Sequence, residues 1–320
     1  MTAIDGPAVV DGDQHESAEG LEAPAQTRVG STPTSAAGAP LAEEAAPNPP
    51  RRSRAGRDLP AAIAVGLLLG AVIIVPLAVF RAAFVGVVAV AVAVGTTEII
   101  RAVRLTGVRV PTVPLVAGAL AMPPVAYAAG TTGLVLALAA TVGAGIAVRL
   151  AGPADGLIRD IAGIGFVAGY GGFPAGFAAL LTAPSDGSWR VAAFIATVVA
   201  SDVGGYAAGV LSGGRHKMAP SVSPGKSWEG FAGSLIACMA MGATLVGWPL
   251  GAHAWQGVLL GLATACTATI GDLGESLLKR DIGIKDMGNL LPGHGGIMDR
   301  LDSMLCTAPI AWLLLTAFLS

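Results

Sequence analysis

The chain has 320 residues, 53% of them hydrophobic and 12% charged, with a mean hydropathy of +0.70. A soluble domain carries about 25% charged residues, so the composition excludes an ordinary soluble enzyme and marks an integral membrane protein. A formal net charge of −2 supplies no bulk field to recruit nucleic acid.

Residues 1–58 are rich in Ala, Pro, Gly, Ser, Thr and acids. Such a segment cannot bury enough apolar area to fold, and a disordered cytoplasmic tail is expected. It is not a signal peptide, because no basic region is followed at once by an apolar run.

The rest, 59–320, is expected to be one polytopic, all-α membrane domain. Spanning takes roughly 20 mostly apolar residues. About nine candidates fit that length: 59–80, 83–100, 111–129, 131–149, 157–182, 190–211, 229–248, 254–271 and 303–319. Their Ala and Gly content allows close helix packing in lipid. The Gly-rich region 157–182 is open to being broken or re-entrant. Cys238, Cys266 and Cys306 lie in or beside apolar spans without metal-ligand spacing, and they read as small buried hydrophobes.

Basic residues near span ends set the orientation. Arg51, Arg52, Arg54 and Arg57 precede the first span and place the N-terminus inside. Arg101, Arg104, Arg109, Arg149 and Arg159 then fall inside, as do two polar loops, 212–228 and 272–302. The C-terminus falls outside. The expected location is the cell (inner or plasma) membrane, with the two loops in the cytoplasm.

The loop 272–302 holds ten of the forty Asp, Glu, Lys and Arg residues. Ionisable groups beside membrane spans mark a functional site by default. Asp272 and Glu275 are three apart and share a helix face, and Lys279 follows on that face. Asp299 and Asp302 repeat the spacing before the last span. Two such pairs can converge on one or two divalent cations, because carboxylates suit Mg²⁺. Between them, Leu291-Pro292-Gly293-His294-Gly295-Gly296 forbids a regular helix and builds a turn with accessible N–H groups. Such a turn suits phosphate oxygens. His294 is a candidate acid, phosphate donor or base-edge contact.

The other loop, 212–228, offers Ser223, Lys226 and Ser227 just before a helix, a place where an anion can sit. It lacks the GxxxxGK[ST] pattern of a P-loop. Asp202 lies inside the sixth span, where a bare carboxylate is expensive. It pairs with a cation there or reaches the site from within the membrane.

The pattern Ser276-x2-Lys279-Arg280-x4-Lys285-Asp286-x-Gly288-x2-Leu291-Pro292-x-His294-Gly295-Gly296-x2-Asp299-Arg300-x-Asp302 resembles the signature of the phosphatidate cytidylyltransferases, or CDP-diacylglycerol synthases. More than a dozen fixed positions agree. The resemblance is looser over 201–230. There Gly225 and Ser227 stand where the family's Ser-Pro-Lys-Lys-Thr-x-Glu-Gly pattern has its first lysine and its threonine, and Val203 and Gly204 also differ from the usual residues after Asp202.

The resemblance implies that CTP and phosphatidic acid give CDP-diacylglycerol and pyrophosphate. It implies Mg²⁺, with room for a second cation, held by Asp272, Asp299 and Asp302 with Glu275 as a further candidate. Asp272, Asp299, Lys279, Arg280 and His294 become the catalytic candidates. Lys226, Ser223, Ser227, Lys285, Asp286, Gly295, Gly296, Arg300 and Asp202 become the substrate-binding ones. The partners are CTP, phosphatidic acid and the bilayer, and a homodimer is left open. Two other classes are weighed against this reading. A CTP-dependent polyprenol or isoprenoid alcohol kinase would release CDP. A transporter would place its charges near the bilayer midplane.

Overall fold

A computed structural model describes residues 59–288, 290 and 295–319. Their order is α1 (Leu59–Val79), α2 (Arg81–Leu105), α3 (Thr112–Leu150), α4 (Leu157–Val167), a π-helical turn (Ala168–Gly172), α5 (Phe173–Thr182), α6 (Gly187–Leu211), β1 (Lys217–Ala219), β2 (Ser223–Ser227), α7 (Trp228–Gly247), α8 (Ala254–Ile282) and α9 (Met298–Phe318). The all-α membrane architecture stands, with one small antiparallel hairpin added, in which Lys217 faces Ser227.

Among the described residues, seven helices are long and apolar enough to cross a bilayer, against nine expected. Two elements account for the difference. α1 contributes the shorter apolar stretch Gly70–Val79. α3 unites the expected spans 111–129 and 131–149 in a single 39-residue element, broken at Gly130, where φ is 67° and ψ is −160°. A straight helix of that length would reach about 58 Å, nearly twice a bilayer's apolar core. Instead the chain doubles back, and Gly118 on the first limb lies against Thr141 on the second with no space for a Cβ.

The Gly-rich segment 157–182 is neither broken nor re-entrant. α4 and α5 form one apolar span of 26 residues through the π turn. The turn packs tightly, since a Cβ on Gly172 would meet the Ala119 Cα at 2.8 Å.

Two loop boundaries move. α8 continues past the expected end of its span to Ile282, stopping at Gly283 with φ 79°, a left-handed residue that ends helices readily. α9 begins at Met298. The expected loop 272–302 therefore shrinks to 283–297, and all its carboxylates except Asp286 stand on helices.

α6, α7, α8 and α9 pack in succession. Small residues bring their backbones together. A Cβ on Gly204 would lie 2.7 Å from the Gly233 carbonyl, and Gly242 meets Gly257 with no room between them. The loops at 106–111, 151–156, 212–227 and 283–297 gather at one end of the bundle. Arg159 Nη2 donates to the Gly107 carbonyl at 2.8 Å, and Arg280 Nε donates to the Val222 carbonyl at 3.4 Å. A buried carboxylate braces this end: Asp160 accepts from Arg149 Nε at 2.6 Å and from the Arg109 amide at 2.8 Å. At the opposite end, Ser188 Oγ donates to the Leu77 carbonyl at 3.0 Å.

Candidate active site

The hairpin leads directly into α7. Ser227 caps that helix, its hydroxyl accepting the Gly230 amide at 3.1 Å. Glu229 in the first turn ties the hairpin's entry down, accepting from the His216 amide at 3.1 Å. These contacts aim Lys226 across to α8, where its ammonium pairs with Asp272. Behind that pair lies a cavity of about 450 Å³, walled by Asp202, Lys217, Gly225, Lys226, Ser227 and Asp272 among others. Asp202 sits within electrostatic reach of Asp272, Lys226 and Arg300.

α8 and α9 meet beside this cavity. Gly271 permits the approach, as a Cβ there would lie 2.7 Å from the Asp302 carbonyl. The Glu275 carboxylate, 2% exposed, faces that of Asp302. Its Oε2 accepts from Lys279 Nζ at 2.8 Å, while its Oε1 is buried without any hydrogen-bond partner. Asp272 acts on Asp302 from one helical turn before Glu275. Two carboxylates thus face each other where two helices touch, with Asp272 acting on Asp302 from the cavity wall.

Asp299 faces elsewhere. Its Oδ1 accepts from Lys279 at 2.8 Å, and its Oδ2 accepts the amides of Met287 at 3.0 Å and Gly296 at 2.9 Å. Lys279 therefore bridges Glu275 and Asp299. The set Asp272, Asp299 and Asp302 expected around a metal is divided by that lysine.

Among the described residues, no group of three or more His, Cys, Asp and Glu side chains is placed to hold a metal ion. Mg²⁺ rarely uses a dedicated all-protein cage. It takes one or two carboxylates and fills its shell with water and substrate phosphates. An all-oxygen donor set with an orphaned buried carboxylate oxygen fits such an ion at Asp302 and Glu275, with Asp272 adjacent.

The other expected positions spread around the rim. Ser223 begins β2. Arg280, Lys285, Asp286 and Arg300 are exposed. Gly295 has φ 81° and lies close to both Asp299 and Asp286. His294 lies outside the described residues, as do Pro292 and Gly293.

Residues 60–318 match the model of the cytidylyltransferase family. The chain belongs to that family. It is 43% identical over 279 residues to the phosphatidate cytidylyltransferase of Mycobacterium leprae, covering 82% of this chain and 89% of that one. Its identity to the phosphatidate cytidylyltransferase of Mycobacterium tuberculosis (strain H37Rv) is 42% over 277 residues, 82% of this chain and 84% of the other. Over 148 residues it is 39% identical to the phosphatidate cytidylyltransferase of Brucella suis, covering 45% of this chain and 53% of that one.

Two residues beside this candidate site are not among the expected ones. Tyr170, on the π turn, buries its hydroxyl without a hydrogen-bond partner, within electrostatic reach of Glu275 and Asp302. Its signal was faint, a lone tyrosine in a Gly-rich run. Glu98, on α2, accepts the amides of Ile297 at 3.2 Å and Met298 at 2.8 Å. Its signal was stronger: it is the one acid within the second expected span, 83–100.

Proposed function

We infer that this chain is a phosphatidate cytidylyltransferase. A phosphate oxygen of phosphatidic acid attacks the α-phosphorus of CTP. The bond from that phosphorus to the oxygen bridging to the β-phosphate breaks, and CDP-diacylglycerol and pyrophosphate leave. The observation that carries this reading is the 42–43% identity to phosphatidate cytidylyltransferases over 82% of the chain, joined to a polar cavity at one end of an apolar bundle.

The residues divide the work as follows. Lys226 and Lys217 line the cavity and meet triphosphate oxygens, with Gly225 and Gly214 leaving backbone open beside them. Arg280, Lys285 and Arg300 add positive charge on the rim, where phosphatidate's headgroup arrives from the bilayer. Asp302, Glu275 and Asp272 would hold Mg²⁺, which supplies charge neutralisation at the attacking and leaving oxygens. Lys279 keeps Glu275 and Asp299 oriented around it. Positioning and electrostatics carry the remaining catalysis, as in phosphoryl transfer generally.

The cavity end faces the cytoplasm in this reading. Arg101, Arg104, Arg109, Arg149, Arg159, Arg215, Lys217 and Lys226 all belong to that end, and short loops rich in Lys and Arg stay inside. CTP is available there.

The test is product identity. Purified protein receives CTP labelled at the α-phosphate, phosphatidate and Mg²⁺. Label should enter a CDP-lipid, with pyrophosphate in equal amount and only when phosphatidate is present. CDP together with a phosphorylated alcohol would assign a kinase instead.

A further inference from the structure

α9 begins without a local cap. Ile297 stands at the cap position and makes no side-chain cap bond. The first amides of a buried helix need acceptors all the same. Three consecutive amides here are shared between two carboxylates. Asp299 takes Gly296 at 2.9 Å, and Glu98 takes Ile297 at 3.2 Å and Met298 at 2.8 Å. The Glu98 contacts span 199 and 200 residues of sequence.

Glu98 is 3% exposed, among buried neighbours that include Ile99, Ile100 and Ala102. A carboxylate in a membrane span is costly, and a Ser or Asp at position 297 would reach only the amides of residues 299 and 300, not these three. The long-range carboxylate does something a local cap cannot. It ties the start of α9 to α2, which fixes where the helix points.

The glycines of the signature fit around it. A Cβ on Gly296 would lie 2.6 Å from Glu98 Oε2 and 2.8 Å from the Gly288 amide nitrogen. A Cβ on Gly288 would overlap the Glu98 carboxylate itself. Gly288 and Gly296 therefore both close on this one side chain. On the same helix face, Gly95 receives the Met298 sulfur, which a Cβ there would meet at 3.4 Å.

We propose that Glu98 is a positioning residue of the active site: from α2 it sets the loop at Gly288 and Gly296 and the start of α9, and through them the carboxylates of Asp299 and Asp302. This rests on the reading of Asp302, Glu275 and Asp272 as the reaction centre. Glu98 touches no substrate in this role. It supplies two strong acceptors to backbone N–H groups at a helix N-terminus, where negative charge is favoured, and its bulk dictates two glycines.

The experiment uses full-length protein in detergent with Mg²⁺, as wild type, Glu98→Gln, Gly288→Ala, Glu98→Ala and the double variant Glu98→Ala/Gly288→Ala. Backbone hydrogen exchange, melting temperature, turnover per folded molecule and the Mg²⁺ concentration for half-maximal rate are measured together. Glu98→Gln replaces one acceptor with a donor facing an N–H. Exchange at 296–298 should quicken by about tenfold or more, with the rest of the bundle unchanged. Turnover per folded molecule should fall by about tenfold or more and the Mg²⁺ requirement should rise. Gly288→Ala, which leaves Glu98 in place but pushes against it, should reproduce both effects. In the double variant the alanine Cβ has room, so its defects should be smaller than the sum of the singles.

A merely structural Glu98 would lower the melting temperature and quicken exchange throughout, leaving turnover per folded molecule intact. That pattern overturns the proposal, as does additivity in the double variant. Should Glu98→Gln not fold, Gly288→Ala carries the same two readouts. Exchange is independent of catalysis, so a wild type making no CDP-lipid would refute the functional reading while the Glu98 contact was still judged.

Discussion

Lys226 on β2 and Asp272 on α8 form an ion pair across 46 residues of sequence. The two side chains are 27% and 24% exposed, at the wall of the cavity. An ammonium so placed holds the hairpin against α8 in the resting site, and a triphosphate entering the cavity competes for it. Lys226→Met keeps the aliphatic stem and removes the charge. kcat/KM for CTP should fall by about 10–100-fold, the scale of one charge-assisted hydrogen bond. Melting temperature should barely move, since a partly exposed pair contributes about 1 kcal/mol or less. Steady-state kinetics at fixed Mg²⁺ check this, and an unchanged kcat/KM would remove Lys226 from phosphate binding.

Asp302 and Asp299 are three residues apart and should behave oppositely. Asp302 faces Glu275, whose Oε1 has no donor. In chelator, Asp302→Asn removes a like-charge contact and offers that oxygen an N–H, so the melting temperature should rise by about 2–4 °C. The stabilisation that Mg²⁺ gives wild type should vanish, and turnover should fall by roughly a hundredfold or more. Asp299 instead binds Lys279 and two loop amides. Asp299→Asn should melt lower with or without Mg²⁺. Thermal scans in chelator and in Mg²⁺, followed by activity, separate the two. Equal behaviour of the variants would refute the division of roles.

Asp160 tests stability apart from chemistry. It is fully buried and pairs with Arg149 at 2.6 Å, away from the carboxylate cluster. Asp160→Asn leaves Arg149 with a buried, uncompensated charge, a costly state. The melting temperature should drop by roughly 5–10 °C. Turnover per folded molecule should stay near wild type. A selective loss of turnover without lower stability would bring this cluster into the reaction.

Orientation is checked with single cysteines in a chain whose Cys238, Cys266 and Cys306 are replaced. Ser221 and Lys285 belong to the cavity end and Ser185 to the opposite end, all three exposed. On intact cells, a membrane-impermeant thiol reagent should label a cysteine at 185 and spare those at 221 and 285. The reverse pattern would invert the assignment.

The sequence made the membrane class and the site's neighbourhood legible, because apolar runs and a 31-residue charged stretch, 272–302, are local signals. It misplaced that stretch as loop. Charged side chains lower hydropathy without breaking a helix, and 272–282 carries no Pro and only one Gly, Gly274. Spacing grouped Asp299 with Asp302, yet residues three apart on a first helical turn can serve different partners, and Lys279 draws one away. Glu98 stands out as the one acid in its span, but its role was hidden for a different reason. Its partners are backbone amides about 200 residues distant, and amides leave no mark in side-chain patterns.

The π turn at Ala168–Gly172 gives the fourth-to-fifth helix one residue more than a regular α-helix would hold. Deleting that surplus residue would convert the turn to regular α-helix and leave Ala175, Gly176 and Ala179 on their seams. Only the turn's own side chains would shift, the Tyr170 hydroxyl among them. Deleting a residue from α5 beyond the turn would instead rotate everything after it by about 100°, so along this span a one-residue gap between two relatives is expected inside 168–172 and not outside it.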